Sequence, residues 1–340
     1  MLACVVHGAG DLRTEEVART EVRPGYVAVD MYLGGICGSD LHYWHHGAVG
    51  DSRLREPLVL GHEVVGRVAQ LGDGVHRPKP GTAVAIHPAA VCGACLPCRT
   101  GRFNICVNVR YLGSAARFPH VQGGFRRQLV VPATQVVPLP AGLDLHRAVL
   151  AEPLAVALHA VHRAGDVRGR EVLVTGAGPI GVLVAAIART AGAARVVVTD
   201  LIPEALETAR AAGATETVAL GVDADPAPES VDVVIEASGA PPALRTALSV
   251  VRPGGTIVLL GILPPGDVAF AGNLAVTREL TIRGSFRFGS EFTEALTLLH
   301  NGLDVDSVVS SIHPLAQAAA AFTLASDRRQ SCKVLLDLRG

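Results

Sequence analysis

Lysine is almost missing from this chain: of 30 basic residues only Lys79 and Lys333 are not arginine. Against 31 acidic residues the formal net charge is −1, and no run of a single sign occurs anywhere. Without a basic stripe there is nothing to attract a polyanion, so nucleic acid is excluded as a partner. Long apolar runs are missing too. Hydrophobic residues reach 49% and the mean hydropathy is +0.37, yet the richest stretches, 180–188 and 316–325, fall well short of the ~18 apolar residues that span a bilayer. A membrane partner is not expected. The opening residues, Met1-Leu2-Ala3-Cys4-Val5-Val6-His7, carry no basic region ahead of an apolar run, and a cytoplasmic location is the expectation. There is no internal repeat and no low-complexity linker. At roughly 150 residues per domain, 340 residues suggest about two domains and exclude a small stapled scaffold.

What is present divides the chain in two. Up to about residue 150, short β-rich runs (26–33, 63–70, 83–87, 127–131, 136–139) lie between Gly/Pro turns such as Arg23-Pro24-Gly25 and Lys79-Pro80-Gly81. From about 153 the pattern changes to strands at 172–175, 195–199, 231–236, 256–261 and 280–283, alternating with helices at 180–191, 203–212 and 242–250. Strict alternation predicts a doubly wound parallel sheet, so the fold class is α/β plus β. After residue 285 come helices at 291–300 and 315–325 and a strand at 333–338, an ending that is expected to rejoin the first domain.

Three constellations carry chemistry. Gly176-Ala177-Gly178-Pro179-Ile180-Gly181 follows a strand and opens an apolar helix, the context in which missing Cβ atoms let backbone amides approach a pyrophosphate. Asp200 ends the next strand, where a carboxylate accepts from ribose hydroxyls and repels a 2′-phosphate; with Leu201 and Ile202 following and no Arg close behind, NAD is favoured over NADP. Cys92, Cys95, Cys98 and Cys106 gather four thiols in a short loop, the spacing of a closed, structural tetrahedral zinc site. Arg99 and Arg102 stand close enough to offset part of its negative charge. Finally, Cys37, His62 and a carboxylate from Glu63 or Glu152 make a neutral three-ligand set with an open fourth position, the arrangement of catalytic zinc.

Together these features resemble the zinc-containing medium-chain dehydrogenases over essentially the whole chain. The run Cys37-Gly38-Ser39-Asp40-Leu41-His42-Tyr43-Trp44 resembles the polyol branch, which includes the sorbitol and xylitol dehydrogenases. The stretches Gly47-Ala48-Val49-Gly50, Leu112-Gly113-Ser114-Ala115, Phe118-Pro119-His120-Val121 and Arg283-Gly284-Ser285-Phe286-Arg287-Phe288 are similar to L-idonate 5-dehydrogenases. The resemblance implies a GroES-like β domain (1–151 and 287–340) bearing two zincs, with an inserted Rossmann domain (152–286) that binds NAD through Gly176, Gly178, Ile180, Gly181, Asp200 and Phe286. It implies hydride transfer between NAD and a secondary hydroxyl of a sugar acid, L-idonate to 5-keto-D-gluconate, with a neutral polyol as the alternative substrate. It places Ser39 and His42 on a proton relay, Asp40 behind the ligand His62, and Glu152 where alcohol dehydrogenases have a second cysteine. A substrate carboxylate calls for an arginine. Arg110 is the first expectation, with Arg117 and Arg287 as further candidates and Tyr43, Tyr111 and His120 as neighbours that read hydroxyls. A homodimer or homotetramer is expected, with the strand at 280–283 a plausible edge for pairing.

Overall fold

The computed structural model describes residues 1–339. Its first large sheet has strands in the order Val136–Pro138, Ala83–Ile86, Glu63–Leu71, Tyr26–Gly35, Lys333–Asp337 and Val309–Pro314, with Gln128–Pro132 also paired to Tyr26–Gly35. Neighbours run antiparallel except for the last two. The C-terminal strand thus returns to the first half of the chain, setting Leu335 opposite Gly35 and Leu336 opposite Gly34. One consequence matters for chemistry: Lys333, at the start of that strand, enters the sheet beside Ile36 and Glu63.

The second sheet is wholly parallel, in the order Glu216–Ala219, Arg195–Asp200, Glu171–Thr175, Val231–Glu236, Val251–Leu259 and Thr281–Gly284. Numbered along the chain this is 3-2-1-4-5-6, the doubly wound arrangement whose ligand crevice lies beyond the carboxyl ends of the strands. Its central strands are buried on both faces, which is why they read as continuous Val/Leu/Ile runs. Helix Pro179–Thr190 starts at Pro in its first turn and packs against helix Ala151–Ala164, burying Val182, Leu183 and Val184 completely. Each such side chain contributes about 1.5–3 kcal/mol of burial.

Most expected elements are found within a few residues of their expected limits. Several elements had not been expected, among them strands Asp11–Glu16 and Val309–Pro314, helix Gly272–Thr277 and the following three. Helix Gly38–His46 is short and mostly polar, without an apolar stripe. Helix Ala151–Ala164 is largely buried, with only the stripe Val156, His159, His162 and Arg163 reaching the surface in part. Strand Glu216–Ala219 has four residues at the sheet edge, too few to display a period. The expected helix at 315–325 is a 3-10 turn, Leu315–Gln317, followed by Ala318–Ser326. Among the described residues no helix is long and apolar enough to cross a membrane.

Candidate active site

Two local structures bring Cys37 and His62 together. Cys37 precedes helix Gly38–His46, and its amide donates to Asp40 Oδ2 at 3.0 Å. The other oxygen, Oδ1, accepts from the amide of Gly61 at 3.3 Å and lies 3.9 Å from His62 Nδ1. Asp40 is fully buried, so one carboxylate ties the helix start to the His62 turn. Gly61 has φ of +98°, and a Cβ there would lie 2.2 Å from the Phe125 ring; no other residue fits. Ligand atoms of Cys37, His62 and Glu63 all lie within 4.8 Å of one another.

The carboxylates divide in their partners. Glu63, fully buried, receives Lys333 Nζ on both oxygens at 2.8 Å. Glu152, near the start of helix Ala151–Ala164, accepts from the Tyr111 hydroxyl on Oε1 at 2.6 Å. Burial raises the Glu152 carboxyl above its ordinary range, opposed by the pull of His62. For His62, burial disfavours charge, but Cys37, Asp40 and Glu152 outweigh it and hold the imidazole well above its ordinary value. Three buried carboxylates and a thiol therefore converge on one buried lysine and one imidazole. That donor set has the excess of negative groups and the S/N/O mixture that suits a zinc ion.

Around this cluster lie the residues expected to meet substrate. The Tyr111 ring is 5.8 Å from that of His62, and Arg287 stacks on its face with Cζ 4.5 Å from the centroid. Arg287 also has φ of +54°, a left-handed conformation that costs a non-glycine residue about 1 kcal/mol or more. Arg110 is not brought to the site: successive strand residues point to opposite faces, and with Tyr111 turned inward Arg110 is exposed. Arg117 donates to the carbonyls of Val107 and Val109, and buried His120 accepts from the Arg55 amide at 2.9 Å; both hold loops. Buried Tyr43 accepts from the Ala115 amide. Ser39 is half-buried two residues past Cys37, whereas His42, one turn on, is exposed with its ring 5.7 Å from His46. Lys333 was missed as a site residue, although a charge inside an apolar strand is itself a sign of a buried pair.

Cys92, Cys95, Cys98 and Cys106 have all four sulfurs within 4.8 Å of one another, with Cys92 to Cys106 at 3.6 Å and Cys95 to Cys106 at 3.9 Å. A tetrahedron with Zn–S of about 2.3 Å has edges near 3.8 Å. The amides of Ala94 and Cys95 pull the Cys92 thiol down to about 6, favouring the thiolate a metal needs. This lobe touches the site through Asn104, which donates to the Phe286 carbonyl at 2.9 Å, one residue before Arg287.

At the glycine-rich turn, Gly178 is the N-cap of helix Pro179–Thr190 and offers no side chain to its free amides. A Cβ on Gly181 would lie 1.9 Å from the Gly176 carbonyl oxygen, so only glycine lets helix and strand meet this closely. Ile180 is half-buried in the first helical turn. Asp200 is buried at the end of its strand and accepts from the Ala177 amide at 2.6 Å. Phe286 is about half exposed beside Arg287. A bare helix N-terminus, an uncrowded turn and a carboxylate on the neighbouring strand fit a dinucleotide.

A parallel-sheet nucleotide fold joined to a β unit with two clusters of metal-ligand type defines a zinc-type dehydrogenase. Comparison with known proteins agrees: an alcohol dehydrogenase GroES-like domain matches residues 23–141 and a zinc-binding dehydrogenase domain matches 179–301. The chain is 39% identical to L-idonate 5-dehydrogenase (NAD(P)(+)) of Escherichia coli K12, covering 98% of both chains. It is 36% identical to the sorbitol dehydrogenase of Gallus gallus, over 98% of this chain and 96% of that one. The crystal structure of the Escherichia coli L-idonate 5-dehydrogenase superposes with a TM-score of 0.93 at 37% identity, over 99% of this chain and 97% of that one. The chain belongs to the zinc-containing medium-chain alcohol dehydrogenase family, among its polyol and sugar-acid dehydrogenases.

Proposed function

We propose that this enzyme interconverts L-idonate and 5-keto-D-gluconate, with NAD as the hydride acceptor in the oxidative direction. The observation that carries this is Arg287, whose guanidinium lies over Tyr111 while Tyr111 binds Glu152. A fixed cation over Tyr111, whose ring is 5.8 Å from that of His62, provides for a substrate carboxylate that a neutral polyol lacks. In the same proposal residues 1–151 and 287–340 form the unit that holds two zincs, and 152–286 the unit that holds NAD. Cys37, His62 and Glu152 hold the catalytic ion, since Lys333 already engages both oxygens of Glu63. Cys92, Cys95, Cys98 and Cys106 hold the structural one. Exposed Val276 and Ile282, the latter in edge strand Thr281–Gly284, offer a surface for a homodimer or homotetramer.

When bound, zinc supplies Lewis-acid polarisation of the substrate oxygen and NAD takes up the hydride. Asp40 orients the His62 ring from behind, and the Tyr111 hydroxyl fixes Glu152 Oε1. Ser39, in the first turn after Cys37, relays the hydroxyl proton, accepting it on its oxygen as it releases its own toward His42. His42, three residues on and on the same helix face, passes it to solvent. Partial burial, with help from His46 and His45, lowers the His42 pKa, so the ring is neutral and able to accept at neutral pH. Tyr43, Tyr111 and Arg287 line the substrate side.

The test is a substrate panel on the zinc-loaded enzyme, with NADH formation as the readout. L-Idonate should give the highest kcat/KM, above sorbitol and xylitol, and a strong chelator should abolish turnover. Preference for a neutral polyol would transfer the assignment to the polyol dehydrogenases, and turnover that survives metal removal would overturn the metal roles.

A further inference from the structure

Asp200 is not free to meet a ribose alone. Its Oδ1 accepts from the Ile202 amide at 3.0 Å, and Oδ2 from both the Ala177 amide at 2.6 Å and Arg328 Nη2 at 2.8 Å. Arg328 lies 128 residues further along the chain, in the turn between helix Ala318–Ser326 and strand Lys333–Asp337. Asp327 fixes that turn: its carboxylate accepts from the Arg329 amide and its carbonyl from the amides of Gln330 and Ser331. The guanidinium reaches over the glycine-rich turn, where a Cβ on Gly178 would lie only 3.8 Å from Nη2. Gly178, Glu204, Thr208 and Ser310 line one cleft with Arg328 and Arg329. Arg329 stands 3.7 Å from Glu204.

A carboxylate at the end of the second strand rejects a 2′-phosphate by charge repulsion. Here an arginine from the far end of the chain neutralises that carboxylate and uses one of its five N–H groups to do so. The remaining donors keep the fork that suits a phosphate. The Arg328 side chain is 42% exposed against 5% for Asp200, so the guanidinium can turn toward an incoming ligand while Asp200 remains fixed.

We infer that Arg328 is a specificity-determining residue that admits a 2′-phosphorylated dinucleotide, so that the enzyme binds NADP as well as NAD despite Asp200. This role rests on the dinucleotide site proposed above.

Calorimetric titration of the zinc-loaded full chain with NAD and with NADP, in the absence of substrate, tests it. The wild type should bind both. Arg328→Ala should weaken NADP at least about tenfold, the loss of one charge-assisted pair, and NAD by less than about threefold. Arg328→Lys should fall between. Equal weakening of the two nucleotides would mean that Arg328 reads the pyrophosphate they share, and tighter NAD binding would mean that it only competes with the ribose; either overturns the inference. Wild-type protein that binds NAD but not NADP overturns it and leaves the dinucleotide site standing, whereas binding of neither removes both.

Discussion

Lys333 and Glu63 form a buried ion pair in which every ammonium proton has a partner: two go to the carboxylate oxygens at 2.8 Å and the third to the Ile36 carbonyl at 3.1 Å. Burial pulls the lysine toward neutrality, but Glu63, Cys37 and Glu152 hold its pKa above the ordinary range. The pair neutralises one carboxylate of the cluster. Lys333→Met would leave Glu63 buried and unpaired, a change that typically costs 3–5 kcal/mol. Urea denaturation should show a loss of about this size, with Lys333→Arg losing less. An unchanged midpoint would show that the pair adds no net stability.

What the sequence makes legible here is what is local. The turn from Gly176 to Gly181 and the loop from Cys92 to Cys106 are each defined by spacing within a few residues, and alternating strands and helices reveal the parallel sheet. Pairs closed only by the fold are not legible. Lys333 meets Glu63 across 270 positions, and Arg328 meets Asp200 across 128. Asp200 with no arginine close behind reads as an NAD signature only as long as the chain is followed linearly. The sequence puts Arg110 ahead of Arg287, because strand alternation at Tyr111 and the left-handed backbone at Arg287, which set how the two guanidinium groups are presented, leave no local mark in it.

The two metal clusters should fail differently. Cys98 is buried within the closed four-sulfur group, so Cys98→Ser should remove one zinc and lower the melting temperature as its lobe loosens. That lobe also holds the Phe286 carbonyl through Asn104, so activity should fall with it. Cys37→Ser should remove the other zinc and abolish turnover with little change in melting temperature, because helix Gly38–His46 and Asp40 remain in place. Elemental analysis with circular dichroism checks both. A wild-type content of one zinc or none would count against the scheme.

Away from the site, helices Ala151–Ala164 and Glu291–His300 meet at Glu291, whose Oε1 lies 2.9 Å from His159 Nδ1 and 3.3 Å from His162 Nδ1, with Glu294 also near His162. Hydrogen bonds from both histidines outweigh the burial that would raise the Glu291 carboxyl, and hold it well below its ordinary value of 4.5. The same contact raises His162 above 6.5. A raised histidine stabilises fully below its unfolded pKa and loses that contribution as pH rises through the folded value; a depressed carboxylate contributes above its unfolded value and loses it as pH falls. The contact is therefore strongest between pH 4.5 and 6.5. His162→Gln should flatten the fall in melting temperature between about pH 6 and 8. An unchanged slope would assign that fall to other groups.

The substrate carboxylate decides between the two arginines. Arg287 is half-buried over Tyr111, whereas Arg110 is exposed on the opposite face of its strand. A charge-assisted hydrogen bond in a partly buried site is worth about 1.5–3 kcal/mol, so Arg287→Ala should lower kcat/KM for L-idonate by about one to two decades. The rate on sorbitol should barely move, since no carboxylate partner is lost there. Arg110→Ala should leave both rates within about twofold, as expected for an exposed side chain without a buried partner. Paired kcat/KM measurements on the two substrates for each variant check this. If Arg287→Ala depresses sorbitol and L-idonate equally, Arg287 serves to position Tyr111 against Glu152, and the case for a sugar acid over a neutral polyol loses its main support.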